Sequence, residues 1–230
     1  MSTLAAISYT GGKDCTLALH RVKERGIQVA VLVTFSPPLT DPKSFKAHAL
    51  DIIKKQAESL GFDHTVCIID GPDYLASYQR EIKQLRADYG IQLLVTGDIL
   101  PVCSNFMERA VTDTGVELVR PLWQQPQQEL LNEMWQRGFD ILITCINLEK
   151  IPQSVLDKVQ GQFGVGMKLT QTGLDLVSKE KSDISPTGEF GELHTMVLDC
   201  PLYKNIIKVE SNVKQEDIFS FLVIESVQLL

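Results

Sequence analysis

Over its first hundred residues the chain alternates short apolar runs with stretches of helical spacing, and few architectures accept that pattern. Residues 4–8 form an apolar run followed by Gly11-Gly12, and helical spacing then holds over 14–25 and stops at Gly26, suited to the left-handed position after a helix. Residues 27–35 are rich in Val, Ile and Leu, like a strand buried on both faces, and Ser36-Pro37-Pro38 ends them. Helical spacing returns over 44–60 and closes at Gly61. A third strand over 64–69, a helix over 74–89 and a fourth strand over 91–96, ending at Gly97-Asp98, complete the pattern. βα units of this size require parallel strands with right-handed crossovers, so the expected fold class is α/β.

The second half is less regular. Strands are expected over 116–119 and 140–146, helices over 127–137 and 152–159, then a glycine-containing stretch over 161–173 and a polar loop over 178–192. Residues 195–198, 206–210 and 219–227 read as strands, so the tail is more β than α. A boundary near Pro121 would divide the chain into 1–120 and 121–230.

With 230 residues and 44% hydrophobic side chains the chain can bury a sizeable core, and 22% charged residues are too few for disorder. The absence of a long apolar run and of a basic N-terminal segment points away from membrane insertion and secretion. A net charge of −7 argues against extensive nucleic-acid binding. Five scattered cysteines without a CxxC pair suit free thiols in a reducing cytoplasm.

The strongest local signal is Thr10-Gly11-Gly12-Lys13-Asp14-Cys15, between the first strand and the first helix. Adjacent glycines let backbone N–H groups close around an anion, and the helix aims its positive end at the same point. Lys13 adds a mobile cation, and Asp14 can cap the helix or enter a magnesium shell. A Walker A loop is excluded, because its first glycine would fall at Ile7 and its Ser/Thr at Asp14. Gly97-Asp98 lies at the carboxyl edge of the expected sheet, where ligands bind. Farther on, Glu189 and Glu192 stand three apart among glycines with His194 close by, a set that suits amine recognition and proton transfer near neutral pH or, more plainly, a polar turn before a strand. Arg109 could reach a phosphate or sit on a solvated face; His48, Trp123 and Trp135 read as packing residues.

The loop at 10–15 resembles the SGGKDS pyrophosphate loop (PP-loop) of the N-type ATP pyrophosphatases, with Thr10 and Cys15 in place of its serines. The segment from Gly188-Glu189-Phe190-Gly191-Glu192-Leu193-His194-Thr195 through Asp199-Cys200-Pro201-Leu202-Tyr203 resembles the GExGExHTLVxDGPLF segment of the diphthine–ammonia ligases and their bacterial relatives. Gln56 to Gly61, Thr96-Gly97-Asp98-Ile99, Pro121-Leu122-Trp123, Glu129 to Met134 and Gly138-Phe139 follow that family's order, so the resemblance covers nearly the whole chain. Cys200 replaces the family's glycine, and residues 100–108 lack the tyrosine- and arginine-rich helix of the diphthine-specific members.

The resemblance implies a HUP-like, Rossmann-related nucleotide domain and a smaller C-terminal α+β domain. It also implies an ATP-dependent amide ligase that adenylates a carboxylate and passes it to ammonia, with ATP and Mg as cofactors. The nucleotide set would be Ser8, Thr10, Gly11, Gly12, Lys13, Asp14, Cys15, Thr34, Gly97 and Asp98, and the catalytic set Lys13, Asp14, Glu189, Glu192 and His194. The carboxylate would be diphthine on elongation factor 2, or a small acid in a bacterial member, and a homo-oligomer is compatible with the pattern. Two rivals stay open: an RNA-thiolating adenylating enzyme, disfavoured by the acidic balance and isolated cysteines, and a nonenzymatic AMP or ATP sensor.

Overall fold

The structure is a computed structural model that describes residues 3–38, 49–101 and 104–230. His48, Cys103 and the first part of the helix expected over 44–60 lie outside the described residues. In chain order the N-terminal half runs β1 (Leu4–Ser8), α1 (Lys13–Glu24), β2 (Gln28–Ser36), α2 (Leu50–Leu60), β3 (His64–Ile68), α3 (Tyr74–Tyr89), β4 (Leu93–Val95), α4 (Phe106–Val111) and β5 (Glu117–Val119). The five strands pair in parallel in the order β3-β2-β1-β4-β5. That order reverses at β1, so a crevice opens beyond the carboxyl ends of β1 and β4, the usual ligand position in such sheets.

The C-terminal half runs α5 (Gln127–Gln136), β6 (Asp140–Asn147), α6 (Gln153–Lys158), α7 (Gln171–Glu180), β7 (Leu193–Asp199), β8 (Ile207–Glu216) and β9 (Phe219–Leu229). Its strands form an antiparallel sheet, β7-β6-β9-β8. The chain is therefore α/β with a separate antiparallel sheet in its second half. One apolar core joins the two parts: Leu17 and Leu19 of α1 share a buried cluster with Ile141 of β6 and Val197 of β7.

Two elements depart from the sequence reading. Helix α7 occupies part of the stretch expected to be irregular. The Thr170 hydroxyl accepts the Gly173 N–H at 3.1 Å and starts it, while Gly173, a poor helix former, is present because a side chain there would collide with the Gln162 carbonyl. Strand β8 continues past Glu210 to Glu216 although residues 211–216 contain only one large apolar side chain, because β9 supplies the ladder along its whole length.

Candidate active site

The β1–α1 turn is held from three directions. Gly11 sits at φ +76°, in the left-handed region, and a side chain there would meet Gln56. Buried Gln56 donates to the Gly11 carbonyl at 2.9 Å and to the Val197 carbonyl at 2.8 Å, and the Val197 N–H donates to the same Gly11 carbonyl at 3.0 Å. Strand β7 therefore lies directly against the turn. On the other side Gly97, at the end of β4, packs so closely on the backbone of Asp14 and Cys15 that no side chain fits. The Gly12 carbonyl turns into α1, accepting from the Thr16 hydroxyl at 2.8 Å and the Cys15 thiol at 3.2 Å.

Lys13 is 2% exposed, and its ammonium is engaged inside the protein. Its ammonium donates to Asp14 Oδ2 at 2.8 Å and to the Thr187 carbonyl at 2.6 Å, because a buried cation must be paired and hydrogen-bonded. Its backbone N–H points to Thr195 Oγ1 at 3.4 Å. The second Asp14 oxygen, Oδ1, is buried without a partner. No group of three candidate metal ligands occurs among the described residues.

A cavity of about 490 Å³ opens here, and Ser8, Thr10, Gly12, Lys13, Asp14, Cys15, Gly97, Asp98, Glu189 and His194 all line it. Its volume lies in the usual range of small-molecule pockets. Glu189 is the carboxylate most altered by the site: burial, then repulsion from Asp14 and more weakly from Asp98, pushes it up to about 7. Burial and nearby Lys13 push His194 below the usual imidazole range. Asp98 accepts from the Thr96 hydroxyl at 2.7 Å, yet burial still raises it. Burial also raises the Cys15 thiol, which keeps it protonated. The cavity thus brings the start of α1 and the Lys13 cation together with a carboxylate pushed up to about 7.

Three expected site residues do not reach the cavity wall. Gly11 is engaged as described. The Thr34 hydroxyl donates to the Tyr9 carbonyl at 2.7 Å and meets His64 Nε2 at 2.8 Å, so it braces β1 against β2 and β3. Glu192 is 4% exposed, and its two oxygens accept the Ser185 and Phe190 N–H groups at 3.1 and 3.0 Å, fixing the loop that presents Glu189. Arg109 is exposed on α4 and also stays outside, while Trp135 donates to the Leu169 carbonyl at 3.0 Å as a packing residue.

The structure adds residues that the sequence left without roles. Gln56, Thr187 and Thr195 hold the turn, and each does so through a contact distant in sequence. Also lining the cavity, the Arg120 guanidinium lies 3.6 Å from the centre of the Trp123 ring and pairs with Glu108 at 2.7 Å. The Pro121-Leu122-Trp123 signature marked that position, but nothing local showed that Trp123 faces a ligand space.

Among the described residues no helix is long and apolar enough to cross a membrane. Comparison with known proteins finds a family model for the diphthamide synthase N-terminal domain matching residues 3–117, and one for its C-terminal domain matching residues 126–230. The diphthine–ammonia ligase of Schizosaccharomyces pombe is 26% identical over 226 residues, which is 90% of this chain and 36% of that protein. The diphthine–ammonia ligases of Rattus norvegicus and Bos taurus are each 25% identical over 237 residues, covering 92% of this chain and 84% of theirs. The chain therefore spans little more than a third of the Schizosaccharomyces pombe relative and most of the other two.

Proposed function

The chain belongs to the diphthamide synthase family, and from that premise we propose that it is an ATP-dependent amide ligase, with diphthine as the first acid to test and ammonia as the nitrogen donor. The observation that carries the reading is one cavity lined by both the Gly12-Lys13 turn and the Glu189–His194 segment. Residues 1–120 form the nucleotide half and residues 121–230 the acceptor half.

A substrate carboxylate oxygen attacks the α-phosphorus of ATP, the α–β bridge breaks, and pyrophosphate leaves. The first amides of α1 and the Lys13 ammonium receive the developing negative charge. Asp14, through its unpartnered Oδ1, is the residue that would hold magnesium, which supplies further charge neutralisation at the phosphates. Ammonium binds beside Glu189, whose carboxylate takes one proton, and the ammonia nitrogen attacks the acyl carbon. Neutral His194 takes the second proton as the acyl–oxygen bond breaks and AMP leaves. Arg120, braced on Trp123, holds the substrate carboxylate from the cavity wall.

The test mixes the chain with ATP, magnesium, ammonium and either a diphthine-bearing protein or a panel of small acids. Amide, AMP and pyrophosphate appearing in equal amounts is the expected result. Tight nucleotide binding with no pyrophosphate released under any acid would replace this reading with a sensor.

A further inference from the structure

Strand β8 is the terminal strand of the antiparallel sheet, and its outer edge is unpaired among the described residues. An edge of ten residues is a ready template for another strand. Ile206 and Leu230 exchange both backbone hydrogen bonds, at 3.2 and 3.0 Å. On the alternation of an antiparallel ladder, even-numbered residues of β8 then turn their backbone groups to β9 and odd-numbered ones turn them outward. The irregularity in this pairing falls where Glu210 opposes Ser226 and Ser211 opposes Ile224. The skipped residue, Glu225, belongs to β9, so β8 keeps its alternation. Lys208, Glu210, Asn212, Lys214 and Glu216 therefore share one face, while Val209, Ser211, Val213 and Gln215 offer outward backbone groups.

We propose that this edge pairs antiparallel with β8 of a second copy of the chain, about a two-fold axis at Asn212, to make one continuous sheet. In that register Lys208 stands opposite Glu216 of the second copy, and Glu210 stands opposite its Lys214. All four charged residues meet opposite sign. The even-numbered positions become non-hydrogen-bonded pairs, whose side chains approach most closely.

Neighbouring registers are disfavoured by the same charges. Odd residues must face odd ones for the ladder to form, so the axis moves in whole residues. An axis at Ser211 sets Lys208 against Lys214, and one at Val213 sets Glu210 against Glu216. Axes at Glu210 or Lys214 place those residues on themselves. Lysines alone would guard an edge against any partner; lysines and glutamates mirrored about one residue select a partner and a register. Val213, 59% exposed in the single chain, comes to lie beside Ser211 of the second copy.

Sedimentation velocity on the full chain across about 1–100 µM, where an interface this small would associate, tests the proposal. The unaltered chain dimerises. K208E/K214E and E210K/E216K each lose association by about tenfold or more, and an equal mixture of the two recovers it as a heterodimer. Asn212→Cys crosslinks to itself under mild oxidation, since a non-hydrogen-bonded pair spaces its Cα atoms by roughly 4.5 Å, within disulfide reach. A monomer throughout, a dimer that survives both charge reversals, or variants with native circular dichroism that fail to combine would each overturn it. If the reversed chains misfold, a folded Asn212→Cys variant that forms no crosslink overturns it alone.

Discussion

Glu189→Gln separates the charge of the acceptor group from its shape. In the fold the carboxyl titrates near 7 against an ordinary 4.5. A raised acid holds its proton more tightly folded than unfolded, so stability falls as pH climbs from 4.5 toward 7, and the cost is complete above 7. At about 1.36 kcal/mol per pH unit the whole shift corresponds to about 3.4 kcal/mol. The side chain keeps part of its solvent contact, and halving for screening leaves about 1.7 kcal/mol. The glutamine variant should thus melt about 3–7 °C above the parent at pH 8 and near it at pH 4.5, since each kcal/mol moves a chain this long by about 2–4 °C. Thermal unfolding followed by circular dichroism at both pH values reads this. In the same variant ATP binding should persist while amide formation collapses. Equal melting temperatures at pH 8, or an offset independent of pH, would refute a desolvated Glu189 and its part in accepting the ammonium proton.

Other perturbations follow from the same contacts. Lys13→Ala should cut pyrophosphate release by about a hundredfold and, by leaving Asp14 and the Thr187 carbonyl without their donor, lower stability by about 1–3 kcal/mol in urea unfolding. Gly11→Ala, which forces an L side chain into φ +76° and against Gln56, should cost about 2–4 kcal/mol and abolish nucleotide binding measured by calorimetry. Glu192→Gln should lower the melting temperature through its two loop hydrogen bonds, about 1–2 kcal/mol, with kcat per folded molecule little altered. Arg120→Ala should raise the KM of the acid about tenfold and leave the KM of ATP unchanged in steady-state assays.

The β1–α1 turn was legible as a candidate site because its chemistry is local: two glycines, a lysine and a helix start within one short segment. Its restraints were not. Gln56 holds Gly11 from another helix, and Thr195 and Thr187 reach it from the far half of the chain, so no window of sequence contains both partners. Glu189 and Glu192 are chemically equal in sequence and part only because the loop folds over Glu192, whose oxygens bind two of its N–H groups, while Glu189 stays at the cavity. Helix α7 was hidden by Gly173, and the end of β8 by charged residues that satisfy the strand period without an apolar face.

The bond between the β1–α1 turn and β7 has a consequence for how the molecule comes into being. Lys13 meets Thr195 across 182 positions and Thr187 across 174, and Gln56 meets Val197 across 141. Closing such separations comes late, after the locally wound βα units have formed. During synthesis the turn leaves the ribosome before β7 and lacks that part of its clamp until β7 has docked. Nascent chains therefore carry the glycine-rich segment without a finished pocket, and the cavity is completed only when a strand made well over a hundred residues later takes its seat.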